Sequence, residues 1–196
     1  MERNFIKIGK HKIGLNQPVF IIAEAGVNHN GRLDSALRLI DAAADAGADA
    51  IKFQTFRAEE VVTPNVKMAG YQIRNTGINQ SQSAMLKGVE LKEEYYPRLI
   101  KYAKKKNIVL FSTPHGGHAS VDFLQSLGMP AFKFGSGDLT NLPLLKYAAK
   151  FKKPMIISTG MATLAETRGA VNAIKRAGNN KIIVLHCTTS YPCPPE

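Results

Sequence analysis

Six short runs of apolar and β-branched residues recur along the chain, at 19–23, 50–54, 108–112, 131–135, 155–159 and 182–187. Between them lie stretches whose apolar residues fall at helical spacing. Leu33, Ala36, Leu37, Ile40 and Ala44 share one face, and Gly47 is placed to end that helix. Tyr96, Leu99, Ile100 and Ala103 do the same within 93–105, and Val121, Leu124 and Leu127 lead up to Gly128. Thr163 and Glu166 have the spacing of a capping box ahead of Ala170, Val171 and Ile174, with Gly178 as the stop. Residues 142–149 read as a further short helix. Ahead of the repeat, residues 5–13 alternate and turn at 9–11, which predicts a β-hairpin over about 4–14.

Strand and helix in strict alternation mean parallel pairing with right-handed crossovers. The strands are apolar nearly throughout, as expected when both faces are buried. Two architectures satisfy this, a barrel and a doubly wound sheet, and the polar residues choose between them. Each run finishes in polar groups: Glu24, Gln54, Ser112 with Thr113, Ser136 with Asp138, Ser158 with Thr159, and Thr188. Lys52 and Lys133 lie inside their runs. Polar groups at the end of every strand suit a barrel whose whole C-terminal rim is the site. A doubly wound sheet would concentrate them at one switch point, and no GxGxxG follows the first run. The expected fold class is therefore α/β of the (β/α)8 TIM-barrel type, with about six of its eight βα units in one incomplete domain over 1–196. One connection, 55–90, is unusually long, and 72–83 is rich in Asn, Gln, Gly and Ser. Leaving the catalytic rim as it does, it reads as a loop that covers a substrate.

Composition narrows the partners. A chain of 196 residues, 44% hydrophobic and 21% charged, fits one soluble globular domain. No apolar run approaches the roughly 18 residues of a membrane span. Met1 is followed by Glu2, Arg3 and Asn4 with no apolar stretch behind, so no signal peptide is expected and the cytoplasm is the expected compartment. The net charge of +11 invites a nucleic-acid partner. Its distribution argues against one: Lys104, Lys105 and Lys106 cluster at a helix end, where cations suit the dipole, and the other lysines are scattered without interleaved aromatics. Cys187 and Cys193 have neither a zinc spacing nor a disulfide framework.

The chemistry centres on Lys52 and Lys133. A lysine inside an apolar strand must point where it is solvated or paired, which in a barrel is the upper interior. Two such lysines make an anion site. Gly135, Ser136 and Gly137 let backbone amides and a hydroxyl approach an oxyanion, Ser158, Thr159 and Gly160 repeat that chemistry one strand later, and Thr113 adds a donor. The set reads as a phosphate or carboxylate cradle; a Schiff-base lysine or a structural ion pair are the other roles for either amine. Glu24 serves to orient sugar hydroxyls, to act as general acid or base, or to pair with Lys52. His29 sits in a polar turn and reads either as functional or as a cap of the next helix. His186, late in the last run, reads as a core residue and not as a metal ligand.

The run Ile21-Ile22-Ala23-Glu24-Ala25-Gly26-Val27-Asn28-His29-Asn30-Gly31 resembles the opening signature of the sialic acid synthase family. So do Lys52-Phe53-Gln54-Thr55, Ser112-Thr113-Pro114, Lys133-Phe134-Gly135-Ser136-Gly137-Asp138, Ser158-Thr159-Gly160-Met161 and His186-Cys187-Thr188 through Tyr191-Pro192. Each motif is weak alone; the ordered set, across nearly the whole chain, is specific. The resemblance implies a (β/α)8 barrel followed by a small antifreeze-protein-like domain, in a domain-swapped homodimer. It implies that phosphoenolpyruvate condenses with N-acetylmannosamine or a related N-acyl amino sugar, with a divalent metal, Mn2+ or Mg2+, on the aldehyde and phosphate leaving by C–O cleavage. Lys52, Thr113, Lys133, Ser136 and Ser158 match positions that hold phosphoenolpyruvate. Glu24 and Tyr191 match positions near the amino sugar, with Gln54, Tyr71 and Gln72 on the same side. Glu24, Lys52 and Lys133 are the catalytic candidates.

Two departures qualify the match. Thr189 stands where many members have Asn or Ser. The motifs also stop at Pro194-Pro195-Glu196, before the family's two metal-binding histidines, so no metal ligand is assigned, the antifreeze-like domain is absent, and a fragment or truncated product is expected, inactive alone in the condensation. Another phosphoenolpyruvate-condensing enzyme, a Schiff-base aldolase on the same barrel, or a ligand-binding fragment without turnover are the rival readings.

Overall fold

The structure is a computed structural model that describes residues 5–68, 70, 73–74, 77–189 and 193. A hairpin of β1 (Phe5–Ile8) and β2 (His11–Gly14) precedes a six-stranded parallel sheet of β3 (Ile22–Gly26), β4 (Ala50–Thr55), β5 (Val109–Pro114), β6 (Phe132–Phe134), β7 (Met155–Ser158) and β8 (Ile182–Leu185). The strands lie in the order β3-β4-β5-β6-β7-β8. Each crossover thus moves one place in the same direction, as in a barrel, and the reversal that defines a doubly wound sheet does not occur.

The crossover helices are α1 (Leu33–Asp45), α4 (Tyr96–Lys105), α5 (Gly117–Ser126), α6 (Leu142–Ala149) and α7 (Leu164–Arg176). Their ends follow local chemistry. Thr163 Oγ1 accepts from the Glu166 amide while the Glu166 carboxylate accepts from the Thr163 amide, the reciprocal box expected from the spacing. Asn141 caps α6 by accepting from the Leu144 amide. Gly47 ends α1 at φ +77°, in the left-handed region that glycine enters without a Cβ clash.

The core lies between sheet and helices. Phe53, Phe111, Phe132 and Phe134 are fully buried, each contributing roughly 2–3 kcal/mol by area removed from water. Within this apolar layer Thr55 Oγ1 lies 2.6 Å from Tyr96 Oη and 2.7 Å from Ser112 Oγ, so three hydroxyls dropped into the core satisfy one another. Burial pushes the Tyr96 phenol up to about 12, keeping it a neutral hydrogen-bonding group. The hairpin closes the opposite end of the sheet. Ile8 is buried there, Lys10 Nζ donates to Asn107 Oδ1 (2.6 Å), and His11 Nδ1 lies 3.4 Å from Asp49.

Two expectations need correction. The first strand is not 19–23 but Ile22–Gly26, since Val19 and Ile21 remain 79% and 52% exposed and pairing with β4 begins at Ile22↔Ala50. The shift carries Glu24 from the end of its strand to the middle, beside Lys52 in register. The long connection is also not structureless: it holds α2 (Ala58–Val61), α3 (Gln82–Val89) and a bridge between Lys67 and Ser81. Among the described residues, no helix is long and apolar enough to cross a membrane.

Candidate active site

Side chains alternate along each strand, so a strand covered by helices on one side can present polar groups only on the other. In β4, Lys52 and Gln54 face a cavity while Phe53 and Thr55 face the helices. In β5, Thr113 faces the cavity, and Ser112 turns away to the hydroxyl cluster under α4. Lys133 and Ser158 line the same space from β6 and β7, and Ser136 from the turn after β6. Thr159, although adjacent to Ser158, ties β7 to β8 by donating to the Leu185 carbonyl.

The resulting cavity, about 880 Å³, opens at the C-terminal ends of the strands. It gathers Glu24, Lys52, Gln54, Thr113, Lys133, Ser136 and Ser158. Of the other residues expected at the site, Tyr71, Gln72 and Tyr191 lie outside the described residues, and none of the described residues of 55–90 lines the cavity.

The two lysines are held differently. Lys52 Nζ is 2.9 Å from Glu24 Oε2 and donates to Thr113 Oγ1 at 3.2 Å. Its side chain is 4% exposed and that of Glu24 60%, so the pair joins a buried cation to a carboxylate at the open side. Lys133 Nζ donates to the Phe134 carbonyl at 3.0 Å and has no carboxylate within ion-pair distance among the described residues. Burial, and then the charge of Lys52 nearby, pull its ammonium down to about 8, with Glu24 working weakly the other way.

Close approach shapes the rest. A Cβ at Gly160 would collide with Thr189 Oγ1 and lie 2.8 Å from Ser136 Oγ, so glycine there lets two hydroxyls converge at the cavity wall. Met161 stands on the lip at φ +63°, 70% exposed, a left-handed backbone that costs a non-glycine residue energy.

Reading the sequence missed several lining residues: His115, Met161, Leu185 and Cys187. His115 follows Thr113 by two, so strand alternation was the signal that could have found it. His29 is fully buried, accepts from the Gly31 amide and packs on Phe53. It does not cap α1, whose N-cap is Arg32. Its burial lowers the imidazole, partly offset by the Gly26 backbone. His186 falls just past β8, where it is exposed and not the core residue expected, and it is not among the lining residues.

No group of three His, Cys, Asp or Glu side chains among the described residues could hold a metal ion, and the carboxylate nearest the lysines, Glu24, is already ion-paired. The described residues therefore do not fit a metal site.

A family model described as "NeuB family" matches residues 39–196. The chain is 48% identical over 176 residues to an N,N'-diacetyllegionaminic acid synthase of Campylobacter jejuni, covering 89% of this chain and 52% of that protein. A solved N-acetylneuraminic acid synthetase from Leptospira borgpetersenii superposes with a TM-score of 0.83 at 37% identity, covering 97% of this chain and 61% of that one. The spore coat polysaccharide biosynthesis protein SpsE of Bacillus subtilis superposes with a TM-score of 0.80 at 40% identity, over 97% and 50%. The chain thus spans about half the length of the curated relatives it matches.

Proposed function

The chain belongs to the NeuB family, and from that premise we propose that it is the phosphoenolpyruvate-binding part of a synthase that condenses this enol phosphate with an N-acyl amino sugar. The observation that carries the reading is the cavity itself: two buried lysines and convergent hydroxyls, with a carboxylate on one side only. A phosphate plus a carboxylate on one small molecule needs two separated cations, and Lys52 and Lys133 provide them. Relatives named as legionaminic acid and neuraminic acid synthases support the same assignment.

In this reading Lys133, Ser136 and Ser158 hold one anionic group and Lys52 with Thr113 the other. Glu24 and Gln54, at the open side, meet the sugar. Fixed donors aimed at the anion need no reorganisation during reaction. The six parallel strands in sequential order support a place in an eight-stranded barrel, and the working protein in this reading is a cytoplasmic homodimer. A divalent metal would polarise the sugar aldehyde when bound; no ligand set for it lies among the described residues, and no step is assigned to it.

The test is product formation. The complete protein, of which this chain is the phosphoenolpyruvate-binding part, is incubated with phosphoenolpyruvate, Mn2+ and each of N-acetylmannosamine and a diacetylated amino sugar. Stoichiometric inorganic phosphate and a nine-carbon 2-oxo acid are expected. Phosphoenolpyruvate that neither binds nor turns over would overturn the assignment. A second reading rests on the lowered Lys133 ammonium, since a neutral amine can form an imine with a 2-oxo acid; borohydride trapping of a Lys133 adduct would favour it.

A further inference from the structure

His115 takes no part in the anion cradle, yet it stands at the end of β5 on the cavity wall. Its amide donates to the Thr55 carbonyl, which extends the β4–β5 ladder by one residue and fixes where the ring starts. Its side chain is 29% exposed, partly open to the cavity. Nδ1 lies 3.3 Å from Asp138 Oδ2, in the short turn Ser136–Asp138 that follows β6. That carboxylate oxygen is buried without a hydrogen-bond partner, so the imidazole is the group it has to work on.

Residue 135 gives an independent sign that the ring's position is built in. Gly135 has φ −68° and ψ 165°, a conformation open to any residue, so backbone freedom does not call for glycine. A Cβ there would lie 3.3 Å from His115 Cε1, so the missing side chain leaves room for the imidazole. The charged groups facing this corner are Asp138 from the turn after β6, Lys133 from β6, and Lys52 with Glu24 across the cavity. Glu60 of α2 approaches Gly116, the next residue of the chain.

We propose that His115, oriented by Asp138, is the base that takes a proton from the water adding to C2 of the phosphoenolpyruvate-derived unit. The proposal rests on the condensation proposed above. In that reaction C3 of the enol phosphate bonds to the aldehyde carbon, and the aldehyde oxygen receives the carbonyl electron pair and a proton. Water oxygen bonds to C2, which became electron-poor as its double bond was used, and its proton passes to His115 Nε2. The C2–O bond to phosphate then breaks, the electron pair leaves with phosphate, and loss of the hydroxyl proton gives the 2-oxo acid. Asp138 beside Nδ1 holds the proton on that nitrogen, leaving Nε2 as the acceptor, and stabilises the imidazolium that forms. Asp138 is a positioning residue in this scheme.

The test uses the complete protein and three variants. His115→Phe should lower kcat by about 100-fold, the usual scale for removal of a general base. Its phosphoenolpyruvate Kd, measured by calorimetry without sugar, should stay within about 2-fold, which also shows that the cavity is folded. The fall of kcat at acidic pH should vanish in His115→Phe and move to lower pH in Asp138→Asn. Added imidazole should restore part of the rate in His115→Ala. A His115→Phe enzyme with kcat within 2-fold of wild type and an intact acidic limb would overturn the proposal. So would a variant that simply loses phosphoenolpyruvate affinity at unchanged kcat, since that marks a binding residue. A wild-type protein that releases no phosphate with any sugar would remove the condensation, and with it the role of His115.

Discussion

The cavity has two halves that start from the same residue type and end in different chemistry. On the β3–β4–β5 side, Lys52 is buried but charge-balanced by Glu24 at 2.9 Å and held by Thr113. On the β6–β7 side, Lys133 is equally deep in its strand, hydrogen-bonds only to the Phe134 carbonyl and is opposed by the nearby Lys52, with more distant Glu24 and Asp138 supporting it and no carboxylate within ion-pair distance among the described residues. The first half is a fixed ion pair; the second is a cation waiting for an anion, and its charge is maintained at a cost. A buried charge is stabilised by whichever partner arrives, from the chain or from a ligand. The half without a built-in partner is therefore where ligand binding has the most to gain.

The largest effect that would break this comparison is Lys133→Met. Phosphoenolpyruvate affinity should fall by about 100-fold or more, as expected for loss of a buried charge–phosphate contact. Stability of the ligand-free protein should move the other way. The folded ammonium titrates near 8 against 10.5 when exposed, so the unfolded chain binds more protons between those values. Stability therefore rises with pH through that window, and the penalty is complete below about 8. It amounts to on the order of 3 kcal/mol, which the methionine removes. Urea unfolding at pH 7 should show Lys133→Met more stable than wild type. Lys52→Met should not share that gain, because the Lys52 charge is already balanced by Glu24; a matching stabilisation of both would show that the two halves are alike.

Next in size is the pH dependence of binding. With the Lys133 ammonium at about 8, phosphoenolpyruvate affinity should be level below pH 7 and fall as pH rises through 8, approaching about 10-fold per unit beyond it. Lys133→Arg keeps its charge throughout and should flatten the profile. A wild-type profile level to pH 10 would show that the cation is as well supported as Lys52.

How much of this was legible beforehand depended on which interactions were local. The capping box at Thr163, the stop at Gly47 and the extent of α6 are set within a few residues, and the sequence carries them in full. The singly wound sheet followed from polar residues at every strand end. Glu24, Lys52, Gln54, Thr113, Lys133, Ser136 and Ser158 were picked out as site residues and share one cavity. The difference between the lysines was not legible, because it rests on the register of β3 against β4. The apolar run 19–23 looked like the strand, but its apolar side chains at 19 and 21 stay exposed, and the true strand begins three residues later. That shift is a tertiary outcome, decided by which residues meet β4. His115 was missed for a related reason: it lies past the apolar run, where only the ladder bond to Thr55 shows that the strand's alternation continues.

The smallest predicted effect is the sharpest probe of how the halves communicate. Glu24 pairs with Lys52, but its charge also reaches Lys133 and supports the ammonium there, while Lys52 opposes it. Glu24→Gln removes the carboxylate's support and leaves Lys52 unneutralised, so both changes push Lys133 toward its neutral form. The midpoint of the binding profile should move below 8, by a few tenths of a unit for charges acting across a partly solvated cavity. The variant should thus lose affinity at pH 8 and keep it at pH 6, where Lys133 is charged in either protein. A midpoint that moves upward, or an equal loss at both pH values, would mean that Glu24 touches the ligand directly and that the halves are not linked through charge.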